Sequence, residues 1–305
     1  MRAKARKTIM KNPNKQLNLR AKARNMEIEK ARELGLCFGV RQAVKLLKEA
    51  VSKYGGIETL GPVAHNQQLV QELAKLGVRM VDNLEQVQGK ILAIGTHGTS
   101  PAVLSEIEAR HIHIIDTSCP VVRKAQTTAK ELAEAGFDVV IFGEAEHPEV
   151  KGLLAWAEDK GIAALSAKEI DAPRNSPYRL GVISQTTQTQ SAFVEFTKQL
   201  MAIFLPKSKE VHIINTLCQE TQKRQEAAIR LAQRSQLMIV IGGYNSANTV
   251  RLAEACSPIV ETHLVQRADE LNDSWLIGKH HIGITAGTST PDETIREIIA
   301  KLESL

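Results

Sequence analysis

The strongest constraint on the fold of this chain is a repeat. Cys37, Cys119 and Cys218 each stand where an apolar, strand-like run gives way to a helical one. Each is followed 28 positions later by another polar junction, at His65, His147 and Ser246. A third junction closes each unit at His97, Thr186 and Ser289, after a further 32, 39 and 43 positions. Between these points short apolar runs (Ile91–Ile94, Val139–Phe142, Leu180–Ile183, Leu237–Ile241, His281–Ile284) alternate with helical ones (Val40–Tyr54, Val121–Ala135, Gln222–Gln233, Pro291–Leu302). Continuous apolar strands separated by amphipathic helices indicate parallel sheets covered on both faces. The expectation is therefore an α/β protein of three similar units with mainly parallel sheets: 27–117, 118–212 and 213–305. Ligands of such folds gather at the carboxyl ends of the strands. Three like units around one centre would aim all three cysteines at one place.

Charge narrows the partners. The chain of 305 residues has a formal net charge of +5, but nine Lys or Arg and no acid lie in residues 1–26. The remaining 30 basic residues face 34 acidic ones, a net of −4, so nucleic acid is not an expected partner of the folded part. Residues 1–26 read as a basic extension, expected to be a disordered tail. Its Arg-rich, acid-free bias is that of a transit peptide, but it contains no Ser. Met26, directly before a strand-like start, offers an alternative initiator. No apolar run approaches the ~20 residues that cross a bilayer, so no membrane partner is expected. The expected location is the cytoplasm, or a plastid if the extension is a transit peptide.

Four cysteines without a C-x-x-C pair argue for reduced thiols or a metal site, not a disulfide scaffold. Any one of them could be a small buried hydrophobe. Three at equivalent junctions suit an iron–sulfur cluster with one iron left free of protein sulfur. Zinc held by three Cys and a His stays open, although structural zinc sites usually carry close ligand pairs. Cys256, inside the helical run Val250–Cys256, reads as core packing.

His65, His97 and His147 lie where a strand ends and a helix is about to start. Helix N-termini bind phosphate through unpaired N–H groups and their partial positive charge, and a His there adds a proton donor. The alternative for each is a cap or a hydrogen-bonded core ring. Glu149 follows Pro148 in a first helical turn, where the dipole alone favours an acid; beside His147 it is also placed to pass protons. The loops at Gln185–Thr187, Gly242–Asn248 and Ala286–Pro291 read as turns with N-caps. The glycine pair before Ser246 lets backbone approach an anion.

The strings around Cys37, His65–Asn66, His97–Gly98, Cys119–Pro120, His147–Val150, Gln185–Thr187, Cys218 with Arg224–Gln225, Asn245–Asn248 and Thr285–Pro291 resemble those of the 4-hydroxy-3-methylbut-2-enyl diphosphate reductase family, in order, from about residue 27 onward. The resemblance implies three α/β units in pseudo-threefold arrangement around one [4Fe–4S] cluster. It implies Cys37, Cys119 and Cys218 as ligands of three irons, the fourth binding the hydroxymethyl oxygen of the substrate. Glu149 would deliver protons with His147 and Thr186 nearby, and His65, His97, Ser246, Asn248 and Ser289 would hold the diphosphate. Two electrons from a ferredoxin or flavodoxin and two protons would release the hydroxyl as water, giving isopentenyl and dimethylallyl diphosphate.

The chain departs from the family pattern at three places. Ala247 stands where many relatives carry a second serine, Leu36 replaces an aromatic residue before the first cysteine, and Glu220 occupies an often small position. A hydrogen bond to a charged group contributes roughly 1.5–3 kcal/mol, so other donors must offset the absent serine hydroxyl at Ala247. Two further readings stand beside this one: a hydrolase using His, Glu and a single metal ion, and an iron–sulfur sensor or an RNA-binding protein using residues 1–26.

Overall fold

A computed structural model of the chain describes residues 26–170 and 178–305; the basic extension lies outside the described residues except for Met26. The described chain opens with β1 (Glu27–Lys30), α1 (Phe38–Tyr54), β2 (Ile57–Leu60), α2 (Gln67–Lys75), β3 (Val78–Val81), β4 (Ile91–Ile94), α3 (Pro101–Ala109) and β5 (His113–Asp116). It continues with α4 (Pro120–Glu134), β6 (Asp138–Phe142), α5 (Pro148–Trp156), β7 (Gly161–Ala164), β8 (Tyr178–Ser184), α6 (Gln190–Phe204) and β9 (Ser208–Ile213). The last part holds α7 (Gln219–Ala232), β10 (Leu237–Ile241), α8 (Ala247–Cys256), β11 (Thr262–Val265), β12 (His281–Ala286) and α9 (Asp292–Ser304).

These strands form three four-stranded sheets ordered β3-β2-β4-β5, β7-β6-β8-β9 and β11-β10-β12-β1, with parallel pairing throughout. Parallel neighbours require crossover connections long enough to hold a helix, which is what the alternating pattern supplies. The central strands β6 and β10 are buried at every residue, and for that reason, past the opening Asp138 of β6, they read as unbroken apolar runs.

One strand departs from the partition drawn from the sequence. β1, expected with residues 27–117, pairs with β12 and completes the third sheet. The chain therefore closes a ring, its first strand acting as the fourth strand of its last sheet. Polar contacts fasten that closure: the Glu29 carboxylate accepts from Arg234 (Nε, 3.0 Å) and lies 3.1 Å from His281 Nε2.

With β1 so placed, the three sheets become equivalent. The edge strands β1, β5 and β9 lead to Cys37, Cys119 and Cys218, which are the N-cap residues of α1, α4 and α7. The second-in-order strands β2, β6 and β10 lead, five residues past their ends, to His65, His147 and Ser246. The third-in-order strands β4, β8 and β12 lead to the remaining loops. Here the structure moves the repeat by one residue. The amides of Cys119, Cys218 and Cys37 donate to the carbonyls of Thr96 (3.0 Å), Thr186 (2.9 Å) and Thr288 (2.9 Å). The counterparts of Thr186 are thus Thr96 and Thr288, and the counterpart of His97 and Ser289 is Thr187.

Candidate active site

The three kinds of loop meet at the carboxyl ends of the strands, around one cavity. Its lining includes Cys37, Cys119, Cys218, His65, His97, His147, Glu149, Thr186, Ser246, Asn248 and Ser289. Every site residue nominated from the sequence is among them. His97 differs from expectation in one respect: α3 begins only after the Ser100 N-cap, so His97 sits in the turn before it. That turn is tight because Gly98 adopts φ +68° and packs against the Gln126 amide, where a Cβ would meet Nε2 at 2.6 Å.

The thiols converge. None of the three cysteines uses its side chain to cap its helix, so each Sγ is left for other work. Gly39 makes the approach of two of them feasible, because a Cβ at that position would lie 2.8 Å from Cys119 Sγ. Burial pushes the thiols of Cys37 and Cys119 above their ordinary range, opposed by backbone N–H groups, with repulsion from neighbouring cysteines adding to the rise. Three converging thiols in a half-buried pocket suit a soft cation, whose binding would displace their protons.

The histidines cluster in the same cavity. Ring centroids of His65, His97 and His147 are 4.9, 5.8 and 5.3 Å apart pairwise. Burial, with His65 and His147 adding, holds the His97 pKa down at about 3. Burial, followed by His65 and Arg251, holds His147 at about 4. These rings are neutral donors and acceptors at neutral pH. His147 Nδ1 accepts from the Glu149 amide (3.1 Å), which assigns the neutral ring's proton to Nε2.

Glu149 is 1% exposed, and its carboxylate accepts from the Thr186 amide (2.6 Å) and the Thr186 hydroxyl (2.9 Å). Burial raises its pKa to about 7 against the pull of those two bonds. The ligand atoms of His97, His147 and Glu149 also lie within 4.8 Å of one another. Several buried polar atoms of the wall have no partner in the protein: His65 Nε2, His97 Nδ1, both amide atoms of Asn248 and Ser289 Oγ. Buried donors and acceptors left unmatched are costly, so this wall is built for an oxygen-rich ligand.

Sequence reasoning did not select Thr187, Thr221 and Thr288, which also line the cavity. Thr187 was one position from a chosen residue, and Thr221 lies three positions into the helix after Cys218. Of the three departures, only Ala247 reaches the cavity lining.

Fold and cavity together define a class: a threefold α/β protein whose centre offers three soft thiol ligands beside an anion-accepting polar wall. The sequence matches the family model described as LytB protein over residues 28–303. A relative from Dehalococcoides mccartyi, named 4-hydroxy-3-methylbut-2-enyl diphosphate reductase, is 45% identical over 92% of this chain and 99% of its own length. One of the same name from Geobacter metallireducens is 37% identical over 92% of this chain and 98% of its own length. Among solved structures, that of "(E)-4-Hydroxy-3-methyl-but-2-enyl Diphosphate Reductase, the Terminal Enzyme of the Non-Mevalonate Pathway" matches with a TM-score of 0.68 and 34% identity, covering 92% of this chain and 100% of that one. The Plasmodium falciparum enzyme shares the fold at a TM-score of 0.85 and 23% identity, covering 90% and 87%. The chain belongs to the LytB family, that of the 4-hydroxy-3-methylbut-2-enyl diphosphate reductases. These bacterial relatives do not bear out the plastid alternative. Among the described residues no helix is long and apolar enough to cross a membrane.

Proposed function

We propose that the cavity binds 4-hydroxy-3-methylbut-2-enyl diphosphate and removes its hydroxyl reductively, as an oxidoreductase of the non-mevalonate isoprenoid pathway. The observation that carries this is the pairing of three converging thiols with a wall of orphaned nitrogen and oxygen atoms. In this reading Cys37, Cys119 and Cys218 hold a [4Fe–4S] cluster, one per chain, with a ferredoxin or flavodoxin as electron donor. The donor set fits: thiolate sulfur is the ordinary protein ligand of such clusters. When bound, the cluster would supply the electrons and a Lewis-acidic iron. In the net reaction the C–O bond breaks, two electrons and two protons are taken up, and the products are water with isopentenyl or dimethylallyl diphosphate.

The protein's own share is binding and proton delivery. His65, His97, Ser246, Asn248 and Ser289 hold the diphosphate, their neutral or unpaired donors matching its oxygens. The N-termini of α5 and α8 add partial positive charge. Glu149, with a pKa near 7, is protonated in part at neutral pH. When its proton sits on the oxygen beside Thr186 Oγ1, that hydroxyl accepts and turns its own proton towards the cavity. Thr186 thus relays from Glu149, and His147 Nε2–H stands ready beside it.

A second reading rests on the 4.8 Å grouping of His97, His147 and Glu149, which suits one divalent ion and a hydrolase. It leaves the three thiols without a role. Anaerobic loading with iron and sulfide, followed by turnover with a reduced viologen, separates the two. Iron–sulfide protein that converts the diphosphate only with reductant supports the reductase; phosphate release without reductant overturns it.

Gly39→Ala tests the convergence of the thiols. The added methyl would lie 2.8 Å from Cys119 Sγ, so the sulfur must move. Iron per chain is expected to fall several-fold, while circular dichroism stays that of the parent.

A further inference from the structure

Arg224 lies on α7, on the same inward side as Thr221, which lines the cavity. Its side chain is only 3% exposed, yet Nε and Nη1 are shut off from solvent and have no hydrogen-bond partner. Its neighbour Gln225, 4% exposed, likewise has an unpartnered Nε2. A buried guanidinium left uncompensated is strongly destabilising. Burial presses its pKa down, and among the charges opposing this the Cys37 thiolate comes first, ahead of Glu220 and Glu33. Glu220 is engaged with Lys223 at 3.5 Å. Glu33 acts on Arg224 more weakly than either, which leaves the thiol centre as its leading counter-charge.

We infer that Arg224 is the fixed counter-ion of the three-thiolate centre and holds its reduction potential up. The inference rests on the reading of Cys37, Cys119 and Cys218 as cluster ligands. A cluster that takes up one electron becomes more negative by one charge. A cation held near it in a low-dielectric interior stabilises the reduced form more than the oxidised one. Arg224 is not among the residues that line the cavity, and Glu149 is bonded to Thr186 instead, so the effect of Arg224 passes through the cluster.

The test replaces Arg224 with Met, which keeps length and apolar bulk, and with Lys, which keeps the charge. In a mediated redox titration of loaded protein, followed by the cluster's own spectrum, Arg224→Met should lose at least tenfold in the one-electron reduction equilibrium. That is a shift of 59 mV to lower potential, and Arg224→Lys should lie closer to the parent. A second measurement does not depend on loading. Without the cluster Arg224 is an unpaired buried cation, so Arg224→Met should raise the melting temperature of cluster-free protein and lower that of loaded protein. A purely structural arginine would lower both. A loaded Arg224→Met variant at the parental potential, or cluster-free protein that melts earlier, overturns the inference while leaving the function intact. A parent chain that takes up no iron and sulfide overturns both.

Discussion

Cys119→Ser is expected to yield a folded, colourless protein whose reductive turnover falls to background. The same holds for Cys37→Ser and Cys218→Ser. Each cysteine caps a helix through its backbone alone, with its amide tied to the carbonyl of Thr288, Thr96 or Thr186. A serine keeps those backbone bonds, so the helix ends survive. What it removes is the soft, ionisable ligand, and an alcohol with a far higher pKa does not replace a thiolate on iron. Cys256 is the control. It is fully buried beside Leu252 and Val240, and burial alone raises its thiol to about 11. Cys256→Ser therefore loses stability, by about 1–3 kcal/mol for a poorly matched buried hydroxyl, and keeps its iron. Iron and sulfide content measured on all four variants decides the matter. Dependence of iron on Cys256, with independence of any one of the other three, would break the threefold assignment.

Glu149→Gln is expected to lower turnover by the ~10²–10⁴ that follows loss of a general acid, with cluster content and substrate affinity unchanged. The substitution is well controlled by its surroundings. A Gln carbonyl can accept from the Thr186 amide as the carboxylate does at 2.6 Å, and its NH₂ can donate to Thr186 Oγ1 in place of the 2.9 Å bond. Only the mobile proton is lost. A role confined to the helix dipole would instead cost ~0.3–1 kcal/mol of stability and leave turnover alone. The pH dependence adds a second readout. Burial raises the Glu149 pKa from 4.5 to about 7, so the folded chain retains a proton that the unfolded chain has released. The stability this gives is fully present below pH 4.5 and is lost as pH rises through about 7. Parental turnover should fall over the same rise as the acid form is depleted, and Glu149→Gln should lack both limbs. Single-turnover rates and melting curves between pH 5 and 9 test this. A variant that turns over at the parental rate would shift the proton donor to His147, the other group that reaches the cavity with a proton on Nε2.

Much of this molecule was legible in the chain because its chemistry is local. Cys37, Cys119 and Cys218, the His65 and His147 loops and Ser246 recur at fixed spacing because each terminates a strand and opens a helix, and that junction is written in a few adjacent residues. The buried strands β6 and β10 announce themselves because both their faces are covered, and past the opening Asp138 of β6 every residue in them is apolar. The short edge strands β1 and β5 carry exposed ends and mixed residues, which leaves little period to detect.

What tertiary structure alone decided concerns pairing across long stretches of sequence. That β1 joins β12 depends on hydrogen bonds between residues some 250 positions apart, and no local pattern encodes a partner at that distance. The offset that aligns Thr186 with Thr96 and Thr288 comes from three backbone bonds between different loops. The raised pKa of Glu149 and the lowered one of His97 come from burial in the folded chain, and the isolation of Arg224 from what surrounds it in space. Residue types at junctions are a property of the chain; the field and the solvent exclusion acting on them exist only once the three units close on one another.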